Sequence, residues 1–206
     1  MGYFTRLLNF EEQLTFYGAY HHNTVNKWIH IICVPILVFT ALIWLSQPTT
    51  MPLLFQFPIT MPWFIPTTVT PAWIIAMFYT GYYMLLEPFA GMLYAPFMTA
   101  MVIGAHMFNM TFNHDAGMYA LVLHITAWVL QFVGHGVFEK RAPALLTSLV
   151  QALLLAPLFV WMEVLFLFGY RKRLQERLDK KTVAAIAEWK KSLKDGGKPK
   201  SGKKRN

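Results

Sequence analysis

Between residues 28 and 170 the chain carries only six charged side chains, and that scarcity limits what it can fold into. A soluble domain spreads charge along its length to clothe its surface, whereas a chain that packs against lipid does not need to. The mean hydropathy of +0.40 and the 56% hydrophobic content agree with a membrane composition. A bilayer core about 30 Å thick takes roughly 20 apolar residues per helix. Spans are predicted over about 23–46, 72–86, 89–110 and 118–138, with a last apolar stretch over 144–170. The expected fold class is all-α, a polytopic membrane helix bundle with an N-terminal amphipathic helix and a basic C-terminal amphipathic tail.

The ends carry the polar residues. Asn9-Phe10-Glu11-Glu12 has an Asn cap with Glu three residues on and reads as a helix start, not as a cleaved leader. Phe10, Leu14, Tyr17 and His21 then follow helical spacing. The net charge of +8 does not imply a nucleic-acid partner, because 14 of the 18 Lys and Arg residues lie after Tyr170, as a juxtamembrane basic tail does. Leu174, Leu178, Ile186, Trp189 and Leu193 share one face of that tail, as suits a helix lying on an anionic membrane surface. After Asp195 the composition predicts disorder. Two parts are expected: 1–170 as the membrane-embedded catalytic domain, and 171–206 as a cytosolic basic helix with a disordered tail. The single cysteine, Cys33, allows no internal disulfide and reads as packing.

The excess of Lys and Arg on cytosolic loops places Arg6, Lys27, Lys140-Arg141 and the tail on one side. Four spans satisfy the first three, so 144–170 is expected to return as a hairpin broken at Pro157. The stretch 47–71, with six prolines and no charge, reads as a loop dipping into the interface. Its role stays open.

Seven histidines, His21, His22, His30, His106, His114, His124 and His135, fall at membrane depth or its edge, where an imidazole is costly unless partnered. Asn26 and His30 are one turn apart with Asn23 before them, and such amides can orient a ligating imidazole through its other nitrogen. The plainer reading of Asn23 is a helix cap. His124, Trp128, Gln131, His135 and Glu139 form a second stripe, with Gly134 and Gly136 beside His135 to admit a close approach. Imidazoles with open positions suit zinc, copper or non-haem iron, and spacing does not choose among them. On a regular helix His21 and His30, nine apart, point about 180° away from each other, so a break at His22-Asn23 is required for a shared metal. His124 and His135 stand roughly 16 Å apart along a straight axis, which requires a bend near Gly134 or two separate sites. Glu163 reads either as a buried relay or partner, or as a solvated group. His106 and His114 read as loop or packing residues.

Tyr17-x3-His21-x-Asn23-x2-Asn26-x3-His30-x4-Pro35 followed by His124-x3-Trp128-x2-Gln131-Phe132-x-Gly134-His135-x2-Phe138-Glu139-x3-Pro143-Ala144-Leu145 resembles the fungal 2-hydroxy fatty acid dioxygenase family. The resemblance implies a multi-pass endoplasmic-reticulum membrane enzyme using Fe2+ and O2, with its tail cytosolic. It would convert a long-chain 2-hydroxy fatty acid to the acid one carbon shorter, a step of phytosphingosine and sphingolipid breakdown. It also implies His21, His30, His124 and His135 as iron ligands and catalytic residues, with Asn23, Asn26, Gln131 and Glu139 as supporting residues. Lys27, Lys140 and Arg141 are candidates for attracting the substrate carboxylate, although their plainer role is topology. The alternative reading is a non-enzymatic or haem-binding membrane helix bundle; a Soret band in the purified protein would favour haem. A desaturase-like reading lacks its HxxxH and HxxHH clusters.

Overall fold

The computed structural model describes residues 9–47, 57–60, 66–143 and 149–194. Arg6, most of the Pro-rich stretch and everything after residue 194, including the lysines near the C-terminus, lie outside them. The chain forms two compact units, one of Met1–His30 with Phe132–Asn206 and one of Ile31–Gln131.

In the first unit, α1 (Phe10–Gly18) starts where expected: Asn9 Oδ1 accepts the Glu12 N–H at 3.2 Å, with Glu11 and Glu12 in the first turn to complement the helix dipole. Its apolar stripe of Phe10, Leu14 and Tyr17 is buried. The helix packs against α6 (Leu149–Leu167) and α7 (Lys172–Lys194). Leu158, Met162, Leu174 and Leu178 complete that core. Thr182 of α7 fills the space over Gly18, where an added Cβ would lie 2.8 Å from its hydroxyl oxygen. Glu11 joins α1 to α7 through Arg177 Nη2 at 2.9 Å and through Lys181 Nζ. The amphipathic tail therefore forms a helix, and its buried side faces protein.

The hairpin expected over 144–170 is not formed within the described residues. α6 runs continuously through Pro157, and the chain turns only after Leu167, with Gly169 (φ 82°) and Arg171 (φ 45°) in the left-handed region. A proline in a helix removes one N–H, and buried packing of Leu155, Leu158 and Phe159 around it offsets that loss.

α2 (Thr24–Leu45) begins behind Asn23, whose Oδ1 accepts the N–H groups of Val25 (2.9 Å) and Asn26 (3.3 Å). It continues through Pro35. In the second unit the Pro-rich stretch contains a short antiparallel ribbon, β1 (Phe57–Thr60) with β2 (Pro66–Val69), Phe57 opposite Val69 and Thr60 opposite Pro66. The loop reading did not anticipate it; two strands alone are both edges and can tolerate proline. α3 (Pro71–Leu86) and α4 (Pro88–Phe112) each start on a proline, with only Glu87 between them. Their approach is so close that a Cβ on Gly91 would stand 2.4 Å from the Met84 backbone nitrogen. The fourth predicted span is α5 (Ala116–Val133), separated from α4 by a tight turn at Asn113–Asp115. Ala105 on α4 and Ala116, Ala120 and Ala127 on α5 are small buried residues of this unit. Asn109 Nδ2 and Trp44 Nε1 donate to the carbonyls of Ile43 and Gly117 at 2.8 and 3.2 Å.

The fold is the expected helical bundle. Thr24–Leu45, with mean hydropathy 2.3, and the run Pro88–Glu139, with 1.6, are long and apolar enough to cross a membrane by length and composition. The second run is broken at Asn113 (φ 45°).

A candidate metal centre of three histidines

His21, His30 and His135 converge inside the first unit. Each offers a ring nitrogen lying within 4.8 Å of those of the other two. The ring centroids are 4.3, 4.8 and 4.9 Å apart with near-perpendicular planes, and the residues are 2%, 3% and 4% exposed. Two local devices bring them together. α1 ends at Gly18 and the chain turns through Ala19 and Tyr20 before α2 starts at Thr24, so His21 and His30 need not share a helix. The break falls where the spacing required it. After α5 the chain widens into a π-helical turn, Gly134–Glu139, in which the His135 carbonyl accepts the N–H groups of Lys140 and Arg141. Such a turn changes the direction of a side chain by about one residue's rotation, and is frequent at functional sites.

The imidazoles are oriented by backbone. His21 Nδ1 lies 2.8 Å from the Tyr17 carbonyl, and His30 Nδ1 lies 2.9 Å from the Asn26 carbonyl. A carbonyl only accepts, so each Nδ1 carries the proton and each Nε2 keeps its lone pair. The expectation that amide side chains orient the imidazoles is corrected here. Asn26 acts on His30 through its carbonyl, while its side-chain Nδ2 donates to Glu139 Oε2 at 3.1 Å and to the Tyr20 carbonyl at 3.4 Å. Tyr17 stacks flat on His21 at 4.5 Å, and Phe159 covers both rings. Burial holds the pKa of His21 well below its ordinary value, with the neighbouring histidines adding to the effect, so the neutral form that can ligate is favoured.

Glu139 ties the two chain segments. Its carboxylate accepts the N–H groups of His22 (3.1 Å) and Asn23 (3.0 Å), placing a negative charge at the start of α2 as well as on the Asn26 amide. Asn23 is the cap of α2, its plainer reading. Gly134 admits Asn26: a Cβ there would stand 2.4 Å from Asn26 Oδ1. Arg141 Nη1 donates to the Ala19 carbonyl at 2.6 Å, and its guanidinium lies 3.7 Å from the Tyr20 ring centroid and 4.4 Å from that of Trp189. Sequence reasoning missed the roles of Tyr17, Phe159 and the Tyr17 and Asn26 carbonyls. Every helix supplies carbonyls four residues back, so no residue type marks the ones that orient a ligand.

His124 is not brought into this group. It belongs to the second unit, where Nδ1 pairs with Thr40 Oγ1 at 2.7 Å and Nε2 accepts from Trp128 Nε1 at 3.0 Å. Gln131, in the same unit, donates to the Ala127 carbonyl at 3.2 Å. His106 is buried with Nε2 3.4 Å from Thr70 Oγ1, and His114 is exposed in the turn after α4, as packing and loop residues.

Three buried imidazoles in a helical bundle, two of them with rings oriented by backbone carbonyls, define a class, histidine-rich membrane-type helical proteins able to hold a transition metal. The chain also matches the sequence model of a known family over residues 7–168, described as 2-hydroxy-palmitic acid dioxygenase Mpo1-like. It is 35% identical over 173 residues to the 2-hydroxy-palmitic acid dioxygenase MPO1 of Saccharomyces cerevisiae, covering 84% of this chain and 89% of the yeast protein. The protein belongs to the Mpo1-like family. No solved structure matches it.

Proposed function

We propose that this protein is an Fe2+-dependent dioxygenase that cleaves a long-chain 2-hydroxy fatty acid with O2 to the fatty acid one carbon shorter, in phytosphingosine and sphingolipid breakdown. Family membership supports the dioxygenase activity. The observation that carries the metal is the unfilled coordination capacity of the three-histidine group. His21 and His30 have their Nδ1 atoms committed to carbonyls, which leaves Nε2 of each for a ligand, and the buried Nδ1 of His135 has no hydrogen-bond partner. A buried unpartnered ring nitrogen costs about 1–3 kcal/mol, which a bound cation would offset. All-nitrogen donors suit iron among other metals, and the choice of iron rests on the family resemblance.

His21, His30 and His135 would hold the ion. When bound, iron supplies a centre that can take oxygen and the substrate's oxygens and carry the electrons of the reaction. The chain's own part is to fix the imidazole tautomers through Tyr17 and Asn26, to exclude water with Phe159 and Tyr17, and to lock the two segments together with Glu139. Overall, R–CH(OH)–COO⁻ plus O2 gives R–COO⁻, CO2 and H2O, with the C1–C2 bond broken. His124 belongs to the resemblance's ligand set, but both its nitrogens are engaged, and we assign it to helix packing. Residues 1–170 would form the part embedded in the endoplasmic-reticulum membrane, with 171–206 on the cytosolic side, and the alkyl chain would enter from the bilayer at about 0.8 kcal/mol per buried methylene.

The test is anaerobic reconstitution of the purified protein with Fe2+, then addition of O2 and an even-chain 2-hydroxy acid, with products read by mass. An odd-chain acid in amounts matching O2 consumption is the expected result. Conversion by the metal-free protein, or none by the iron-loaded protein, overturns the reading.

A further inference from the structure

Beside the histidine group lies a small cavity of about 30 Å³, walled by His21, Lys27, Phe159, Met162, Glu163 and Phe166 among others. It contains the chain's unusual ion pair: Lys27 Nζ stands 3.4 Å from Glu163 Oε2, with both side chains largely shielded (28% and 18% exposed). Lys27 sits one helical turn before His30 on α2, and residues three apart lie on the same helix face. The cation is therefore next to one ligand-bearing histidine along the helix and shares a cavity with another.

The other two candidate cations are otherwise used. Arg141 is held by the Ala19 carbonyl and by the faces of Tyr20 and Trp189. Lys140 is exposed in a left-handed turn and does not line the cavity. The cavity has room for about one water molecule, a space on the scale of a polar head group and not of an alkyl chain. Phe159, Met162 and Phe166 supply the adjoining apolar wall.

We propose that Lys27 is the carboxylate-binding residue of the site, and that Glu163 occupies in the empty protein the place the substrate carboxylate takes on binding. One carboxylate exchanges for another on the same ammonium, so the partly shielded cation is never left unpaired, which would be costly. The exchange selects for free acids: an ester or alcohol of the same chain length has no charge with which to displace Glu163. The proposal deepens the reading above, on which the choice of substrate class rests.

The test uses the full chain loaded with Fe2+ under anaerobic conditions. Binding of a long-chain fatty acid without a 2-hydroxyl is compared with that of its methyl ester, in the native protein and in Lys27→Met, Lys27→Arg and Glu163→Gln. The native protein is expected to prefer the acid by about tenfold or more. Lys27→Met loses the preference while keeping its iron, Lys27→Arg keeps most of it, and Glu163→Gln tightens the acid several-fold with the ester unchanged. Admitting O2 with the 2-hydroxy acid then gives a raised KM and a near-native kcat for Lys27→Met. No acid preference in the native protein, or the same preference in Lys27→Met, overturns the proposal. Should Lys27→Met lose its iron, Glu163→Gln decides, and unchanged or weakened acid binding there overturns it. Native protein that binds acid through Lys27 but yields no shortened product keeps the carboxylate site and removes the proposed reaction.

Discussion

The two units treat histidine in opposite ways. In the second, His124 has a partner for each ring nitrogen: Thr40 takes Nδ1, and Trp128, one turn along the same helix, fills Nε2. Thr40 itself lies against the Ile36 and Leu37 carbonyls, 3.0 Å from each, so the polar chain ends on backbone. In the first unit three histidines, buried more deeply than the half-buried His124, face one another and leave ring nitrogens over, one of them wholly unpartnered. Burial of an imidazole alone says little. An imidazole with both nitrogens satisfied holds helices together, whereas a group with nitrogens left over can hold a ligand.

The largest effect that tests this contrast comes from the ligands. Replacing His21, His30 or His135 by Ala is expected to lower iron affinity by more than about 100-fold, beyond the range usual for partners outside the ligand set, and to abolish turnover. His124→Ala is expected to keep one iron per chain, measured by metal analysis, and to cost about 1–3 kcal/mol of stability because the Trp128 N–H loses its acceptor. Iron loss in His124→Ala would break the comparison.

Gly134→Ala comes next. Its Cβ would press within 2.4 Å of Asn26 Oδ1, and overpacking of this kind costs about 1–3 kcal/mol. Because Asn26 carries the carbonyl that orients His30, iron affinity should fall by about 10–100-fold as well, read by competition with a chelator. Thr40→Val sharpens the other side. It leaves the His124 Nδ1–H without its acceptor, a loss of about 1–3 kcal/mol visible as a lower Tm, with iron content unchanged.

The smallest effect concerns Glu11. Its hydrogen bonds to Lys181 and Arg177 hold its pKa below the ordinary 4.5. A folded-state value below the unfolded one means that the contribution is in full force above 4.5 and disappears as pH falls through the lower folded value. For an exposed cluster it amounts to about 0.2–1 kcal/mol. Glu11→Gln should therefore lower Tm slightly at neutral pH and leave it unchanged in strong acid, and iron binding should not follow the change.

Much of the fold was legible because helix boundaries are local chemistry. The Asn9 cap, the Asn23 cap and the starts at Pro71 and Pro88 all stand in the sequence, and the required break before α2 is found there. The continuous path of α6 through Pro157 was not legible. A proline predicts a lost hydrogen bond, but whether packing offsets that loss depends on neighbours distant in sequence. The ribbon at Phe57–Thr60 was hidden for a related reason, since strand pairing depends on a partner across a proline-rich loop.

By itself the sequence determined that this chain is an apolar helical bundle with a basic tail, and it marked two histidine-bearing motifs as the candidate site. Side-chain type, spacing and capping fix those properties over a few residues. Only the tertiary structure decided which histidines meet. A turn before α2 and a π-helical turn after α5 aim His21, His30 and His135 at one another, while Thr40 satisfies His124 from 84 residues away in the chain. Convergence of side chains is set by the directions in which packed helices present them, and no single segment encodes that.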